Sequence, residues 1–209
     1  MTAHAGTSGH VAGTKQESVA LIGLLGFLYT EPVRGYAPYT GIGSRQTPDD
    51  VKALMGEIAN WIAHLGWTLR SGCAPGADSA FEEGAMRHVD VRLPELYLPW
   101  PSFQGGRDLA ARREAQSEAF DIAAHYHPRW HQLKPGAKML HARNVHLVLG
   151  FDVTMPVMSK FVICWTPEAK RGGGTGQALR IAEDLRIPIY DLAEPIDRGC
   201  WEAALKERL

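Results

Sequence analysis

Residues 69–85 read LRSGCAPGADSAFEEGA, which is a short apolar run, a turn containing two glycines, and then a helical pattern. The same order occurs at residues 39–50, YTGIGSRQTPDD, and again at residues 170–185, KRGGGTGQALRIAEDL. Strands that alternate with helices favour right-handed crossovers and a parallel sheet covered on both faces. The sequence therefore predicts a doubly wound α/β fold.

Five strands are predicted from short runs of β-branched and aromatic residues bounded by Gly or Pro: YTGIGS, WTLRSG, PELYLPW, KFVICWTP and IPIYDL. The first helix is expected to start with Thr47 as N-cap and Pro48 at its first position. Its apolar residues recur at helical spacing: Val51, Leu54, Met55, Ile58, Trp61, Ile62 and Leu65. A helical pattern also covers residues 109–126.

The composition is that of an ordinary intracellular globular protein. The 209 residues are 45% hydrophobic and carry a formal net charge of −1, so no overall basic field points to nucleic acid or membranes. The three cysteines, at positions 73, 164 and 200, have neither zinc-ligand spacing nor an even count. We therefore expect reduced thiols and a cytoplasmic location.

Three regions are predicted along the chain. Residues 1–18 are small and polar, which is typical of a disordered tail. Residues 19–35 contain the apolar run VALIGLLGFLY, which is too short to span a membrane and lacks the basic start of a signal peptide. We expect this run to be buried or to contact another subunit of a homo-oligomer. Residues 36–209 form the domain, with a helical, mildly basic insert at 101–150.

Glycines and small polar residues stand at the start of three helices, each directly after a predicted strand. In a parallel sheet these starts lie along one edge, where free backbone amides and the helix dipole favour an anion. A single loop of this kind is more typical of a tight turn, whereas three such loops on one edge favour an anion site. The predicted phosphate- or carboxylate-binding residues of the three loops are Gly41, Gly43, Ser44 and Arg45; Ser71, Gly72, Gly76, Ala77 and Asp78; and Gly172, Gly173, Gly174, Thr175 and Gly176.

Single side chains near this edge have alternative interpretations. Arg45 either clamps a phosphate or is an ordinary surface arginine. Asp78 either contacts a ribose hydroxyl or caps its helix. Trp100 either stacks on a base or packs in the core. Arg143 and Asn144 are expected to lead into a short helix that ends at Gly150 and to face the same cleft.

Several kinds of chemistry lack their sequence signals. The chain has no P-loop and no GxSxG nucleophile motif, and GIGSRQ lacks the third glycine of the GxGxxG dinucleotide fingerprint. The histidines in HYHPRWH, at 125, 127 and 131, match no metal-binding spacing. We predict neither a metal nor a cofactor.

The motifs TGIGSR, LRSGCAPGADSAFEEGA, LPW, HARN and GGTGQALRIAEDLRIPIYDL occur in an order that resembles the SLOG superfamily of Rossmann-like domains. This superfamily includes the DNA-processing protein DprA (Smf), YpsA-like proteins and the Lonely Guy phosphoribohydrolases. The chain looks most similar to single-domain DprA-like proteins often encoded by bacteriophages, which would imply a host cytoplasmic location. The resemblance covers about residues 36–194.

What the resemblance implies is a pocket for a nucleotide or nucleotide derivative, formed by the loops above with Arg143 and Asn144. The chain departs from the Lonely Guy pattern PGGxGTxxE, because Ala178, Leu179 and Arg180 occupy the positions where the acid is expected. Asp78 and Glu82 are then the candidates for acid–base catalysis, and no catalytic residue is assigned.

Three functions remain open at this point. The first is a protein that binds a nucleotide-derived small molecule without turnover. The second is a DprA-like mediator of recombination that binds single-stranded DNA. The third is an enzyme that hydrolyses the N-glycosidic or phosphate bond of a nucleotide. Fold analogy alone does not separate them.

Overall fold

A computed structural model describes residues 23, 35–87, 93–103, 112–169 and 172–207. The predicted tail at 1–18 and most of the apolar segment at 19–35 lie outside these residues. The predicted homo-oligomer, which depends on that segment, stays a prediction.

The fold is the expected single α/β domain, a Rossmann-like doubly wound sheet with helices on both faces. Six parallel strands follow the order β4-β3-β2-β1-β5-β6. They are β1 (Pro38–Gly41), β2 (Thr68–Ser71), β3 (Glu95–Leu98), β4 (Arg112–Glu114), β5 (Val162–Cys164) and β6 (Ile189–Asp191). The helices are α1 (Asp49–His64), α2 (Ala77–Ala85), α3 (Ser117–His125), α4 (Pro135–Leu149), α5 (Gly173–Asp184) and α6 (Pro195–Glu207).

Two apolar clusters cover the two faces of the sheet. Because successive side chains of a strand point to opposite faces, Ile163 joins the cluster beneath α1, α2 and α6, while its neighbours Val162 and Cys164 join the cluster beneath α3, α4 and α5. This is why the central strands read as continuous apolar runs rather than as alternating ones. The strands are thereby fixed from both sides, and their carboxyl ends form a common edge.

The region at 101–150 differs from its prediction in two ways. Residues 112–114, which we expected to be helical, form the edge strand β4 paired with β3, and the helix begins only at Ser117. Pairing with β3 overrides the helical propensity of this alanine- and arginine-rich segment. Arg143 and Asn144 lie inside α4, a helix of fifteen residues, rather than in front of a short helix.

The start of α1 also differs from its prediction. Pro48, with φ −58° and ψ 153°, is the N-cap, and Thr47 does not cap the helix. The Thr47 hydroxyl donates instead to the Ser44 carbonyl at 2.7 Å. Thr47 therefore stabilises the β1–α1 loop and leaves the amides at the start of the helix uncapped by a side chain.

A buried ion pair connects β2 to β3 and to the loop between α4 and β5. Arg70, whose side chain is 1% exposed, donates from Nε to Glu95 at 2.8 Å, from Nη1 to the Val157 carbonyl at 2.7 Å and from Nη2 to the Tyr36 hydroxyl at 2.6 Å. The Tyr36 and Tyr97 hydroxyls both donate to Glu95. Every charged group in this cluster has hydrogen-bond partners, as buried charges require.

Helices α1 and α2 approach so closely that Gly84 has no room for a side chain. A Cβ at Gly84 would overlap the Gly56 carbonyl oxygen and lie 2.7 Å from the Gly56 Cα, both of which are backbone atoms. We expect Gly84→Ala to lower the free energy of unfolding by about 2 kcal/mol, because the helices must separate. Gly199→Ala is the matched control, since a Cβ there meets nothing within 4 Å and Ala is the better helix former by about 1 kcal/mol. Urea denaturation that shows equal stability for the two variants would contradict this close contact.

Within the described ranges, no helix combines the length and the apolar character needed to cross a bilayer.

Candidate anion-binding site

A cavity of about 720 Å³ lies at the carboxyl ends of β1 and β5. Four groups of residues line it: the loop after β1, Ala74 and Asp78 near the start of α2, one face of α4, and the residues that follow β5 together with those at the start of α5. This is the edge at which the sequence places the glycine-containing loops.

The first and third loops are held together by hydrogen bonds. The Thr175 hydroxyl donates to the Gly43 carbonyl at 3.0 Å, and the Asn144 side-chain amide donates to the Gly174 carbonyl at 3.0 Å. Gly43 has to be glycine here, because a Cβ would lie 2.6 Å from the Ala77 Cβ and 3.0 Å from the Trp165 carbonyl oxygen. Three separate segments therefore form one wall of the cavity.

The start of α5 faces this cavity without a cap. No described side chain caps the helix, and the Thr175 hydroxyl is already bonded to Gly43. Gly172 and Gly173 have nothing within 4 Å of a Cβ position, and Gly173 has a φ of +59°. The first amides of a twelve-residue helix thus lack intrahelical partners and are open to a ligand.

The second loop contributes Ala74 and Asp78 to the lining, and its other residues support the first loop from behind. The Ala77 amide donates to the Ser44 carbonyl at 3.3 Å, and Gly76, with φ +93°, lies so close that a Cβ would be 2.6 Å from the same oxygen. This loop therefore fixes the shape of the first loop. The Ala77 amide, the first of α2, is therefore bonded to the protein and is not open to a ligand.

Arg143 is the main charged group of the site. It comes from α4, is 5% exposed and lines the cavity. Its Nη1 lies 3.7 Å from Asp78 Oδ2, beyond hydrogen-bond distance, and both Nε and Nη1 lack a partner among the described residues. The guanidinium lies directly against the backbone at Gly72, where a Cβ would overlap Nη1.

Burial perturbs the charged groups around Arg143. It lowers the pKa of Arg143 and raises that of Asp78, and each effect is opposed by the attraction between the two side chains. The amides of Ala74, Gly43 and Gly72 also lower the pKa of the Asp78 carboxyl. Burial, together with the neighbouring Glu82, raises the pKa of the Cys73 thiol to about 12, so this cysteine is no thiolate nucleophile at neutral pH.

The structure brings most of the predicted site residues into one place. The predicted residues that line the cavity are Gly43, Ser44, Arg45, Asp78, Arg143, Asn144, Gly172, Gly173, Gly174 and Thr175. The predicted residues behind or beside it are Gly41, Ser71, Gly72, Gly76, Ala77, Glu82 and Gly176. Trp100 packs edge-to-face on Phe103 at 5.2 Å and is not part of the lining.

Several lining residues were not singled out in the sequence. Trp165, Thr166, Pro167 and Glu168 follow β5 directly, and Leu140 and Leu147 come from α4. The signal for the first four was available, because they stand at the carboxyl end of a strand, where ligands of parallel sheets bind. The two leucines give the cavity an apolar side.

The histidines of the insert do not gather into a metal site. The rings of His127 and His141 are 4.5 Å apart, but His141 Nδ1 is hydrogen-bonded to the Gln177 side chain at 2.7 Å. Among the described residues, no group of three or more His, Cys, Asp or Glu side chains is arranged to hold a metal ion.

Neither a protein-family model nor a curated protein matches the chain. Among solved structures, DNA processing protein A from Helicobacter pylori, described in work on its single-stranded DNA binding mode, aligns with a TM-score of 0.42 and 14% identity over 87% of this chain and 75% of that one. The site is therefore interpreted from its own residues.

Proposed function

We propose that this domain binds a phosphate-bearing small molecule of the nucleotide type. The observation that supports this most directly is the Arg143 guanidinium, which is buried at the cavity wall and paired with Asp78 at 3.7 Å, but whose Nε and Nη1 lack hydrogen-bond partners in the described chain. A buried cation with unsatisfied donors costs free energy, and an anion bound beside the guanidinium offsets part of that cost through electrostatic attraction.

Two further features support the same ligand class. The uncapped amides at the start of α5 open into the cavity that Arg143 lines, and amides together with an arginine suit a phosphate. The volume of about 720 Å³ lies within the range of small-molecule sites, and Leu140, Leu147 and Ile42 add an apolar side for a non-phosphate portion.

Arg143→Lys tests the role of the guanidinium. Lysine keeps the positive charge but loses the planar fork and the Nε–H, so we expect adenosine monophosphate to bind about tenfold more weakly. Isothermal titration calorimetry measures the dissociation constant. Arg87→Lys, on the exposed Arg87–Glu57 pair at 2.6 Å, is the control. An unchanged affinity in Arg143→Lys would contradict the proposed contact, and mass spectrometry of each mixture separates binding from turnover.

Single-stranded DNA is the second candidate, consistent with the resemblance of the motifs to DprA-like proteins. The observation that favours this candidate is a contact at the start of α4, where the Lys138 Nζ lies 5.5 Å from the centre of the Trp130 ring. Lys138 is about 7–8 Å from Arg143 along the helix axis. This basic and aromatic pair, about 1.4 helical turns before Arg143 and on another face of α4, suits a strand that continues around the start of that helix. An oligothymidylate that binds more tightly than the mononucleotide, with an affinity that falls steeply with salt, would favour this candidate.

A further inference from the structure

We propose that anion binding in this cavity is coupled to the protonation of Glu82, so that affinity falls as the pH rises through neutrality. The inference rests on the proposed function, because it concerns the regulation of the same site.

The geometry contains one cation and two buried carboxylates. Asp78 and Glu82 lie one turn apart on α2 and are 4% and 1% exposed, while Arg143 from α4 is the buried cation beside them. Asp78 is the carboxylate next to the guanidinium, and Glu82 lies behind it, outside the cavity lining. If all three groups are charged, one buried negative charge has no opposite charge of its own, which is costly.

Glu82 has a second carboxylate, one cation and several neutral groups around it. Its Oε1 accepts a hydrogen bond from the Cys73 amide at 2.9 Å, and the Ser71 hydroxyl lies beside it. The charged or titratable groups that face it are Asp78 on its own helix, the Cys73 thiol from the β2–α2 loop and Arg143 from α4. From the β1–α1 loop, Arg45 acts electrostatically on Arg143.

Burial has the largest effect on Glu82, followed by the charge of Asp78, and together they raise its pKa to about 7. The hydrogen bonds from the Cys73 amide and the Ser71 hydroxyl lower the pKa and oppose part of this shift. A ligand anion adds negative charge next to Arg143 and therefore raises the pKa of Glu82 further. At a pH between the pKa of Glu82 in the free protein and its higher pKa in the complex, ligand binding is accompanied by the uptake of a proton. The affinity is highest below about pH 7 and falls with rising pH until the bound-state pKa is passed.

The test uses a ligand whose own charge is constant. Cyclic adenosine monophosphate is a phosphodiester with one negative charge from about pH 5.5 to 8.5, so any change in affinity over this range belongs to the protein. We expect its dissociation constant to rise about tenfold between about pH 6 and 8.5, which corresponds to a shift of about one unit in the pKa of Glu82. Calorimetry at about pH 7.5 in two buffers with different ionisation enthalpies should show proton uptake.

Glu82→Gln should remove the pH dependence and the proton uptake, leaving the affinity near its low-pH value. Glu83→Gln, the same change at the exposed neighbouring position of α2, should keep both. Binding that is equally tight at all pH values, without proton uptake, would overturn the coupling and leave the proposed function intact. If neither cyclic adenosine monophosphate nor adenosine monophosphate binds at any pH, the proposed function itself is overturned. If Glu82→Gln does not fold, the proton uptake of the unmodified protein decides the question.

Discussion

Gly72→Ala is expected to abolish anion binding while the α/β domain remains folded. The Arg143 guanidinium occupies the space above the Gly72 backbone, where a Cβ would overlap Nη1 and also lie 2.9 Å from Asp78 Oδ2. Arginine is long and flexible, so its far end moves rather than the backbone. The displaced guanidinium leaves its place beside Asp78 and enters the ligand space. We expect adenosine monophosphate to bind more than about a hundredfold more weakly, from the loss of charge-assisted hydrogen bonds.

Calorimetry gives the affinity, and circular dichroism with thermal unfolding checks that the domain is folded. Gly136→Ala is the control, because its nearest neighbour is the Trp100 ring at 4.0 Å, an ordinary van der Waals contact, and the position lies on the helix that carries Arg143. If Gly72→Ala binds the nucleotide as tightly as the unmodified protein, Arg143 is not a ligand contact.

Arg70→Ala is expected to have the largest effect on stability. It removes the cation from beneath Glu95, whose side chain is 17% exposed, and leaves the Val157 carbonyl without its charged donor. Loss of one partner from a buried ion pair typically costs about 3–5 kcal/mol, and the partial exposure of Glu95 favours the lower end of that range. For a domain of this size, that corresponds to a fall of about 6–12 °C in melting temperature.

Arg87→Ala is the matched control for burial. Arg87 and Glu57 approach to 2.6 Å, closer than Arg70 and Glu95, but both side chains are almost half exposed. An exposed pair contributes at most about 1 kcal/mol, because water screens both charges. Urea denaturation that gives the two alanine variants equal stability would show that burial does not determine the contribution of the Arg70 cluster.

The fold was predictable because its main signals are local. Val51, Met55, Ile58 and Ile62 recur at helical spacing and are all buried in α1. Strand β4 was missed because its pairing with β3 is a tertiary contact. A short strand at the edge of a sheet has neither an apolar run nor a turn signal, and its residues are typical of a helix.

The sequence predicts at which edge of the sheet the cavity lies, but not how the loops are arranged around it. Glycines after strands indicate the correct edge of the sheet, because topology alone brings those loops together. The sequence does not show which residues of these loops line a cavity and which support it from behind. That Gly76 lies against the Ser44 carbonyl, and that Glu82 lies behind Asp78, depends on the angle at which α2 leaves its strand.

The contact between Gly72 and Arg143 has an evolutionary consequence, because it makes the order of substitutions matter. A side chain gained first at position 72 displaces the guanidinium and so removes the proposed ligand contact. A smaller residue gained first at position 143 removes the main obstacle, after which a small side chain at position 72 requires only a shift of the Asp78 carboxylate. Lineages that retain the arginine should therefore keep glycine at position 72, and the two positions should covary.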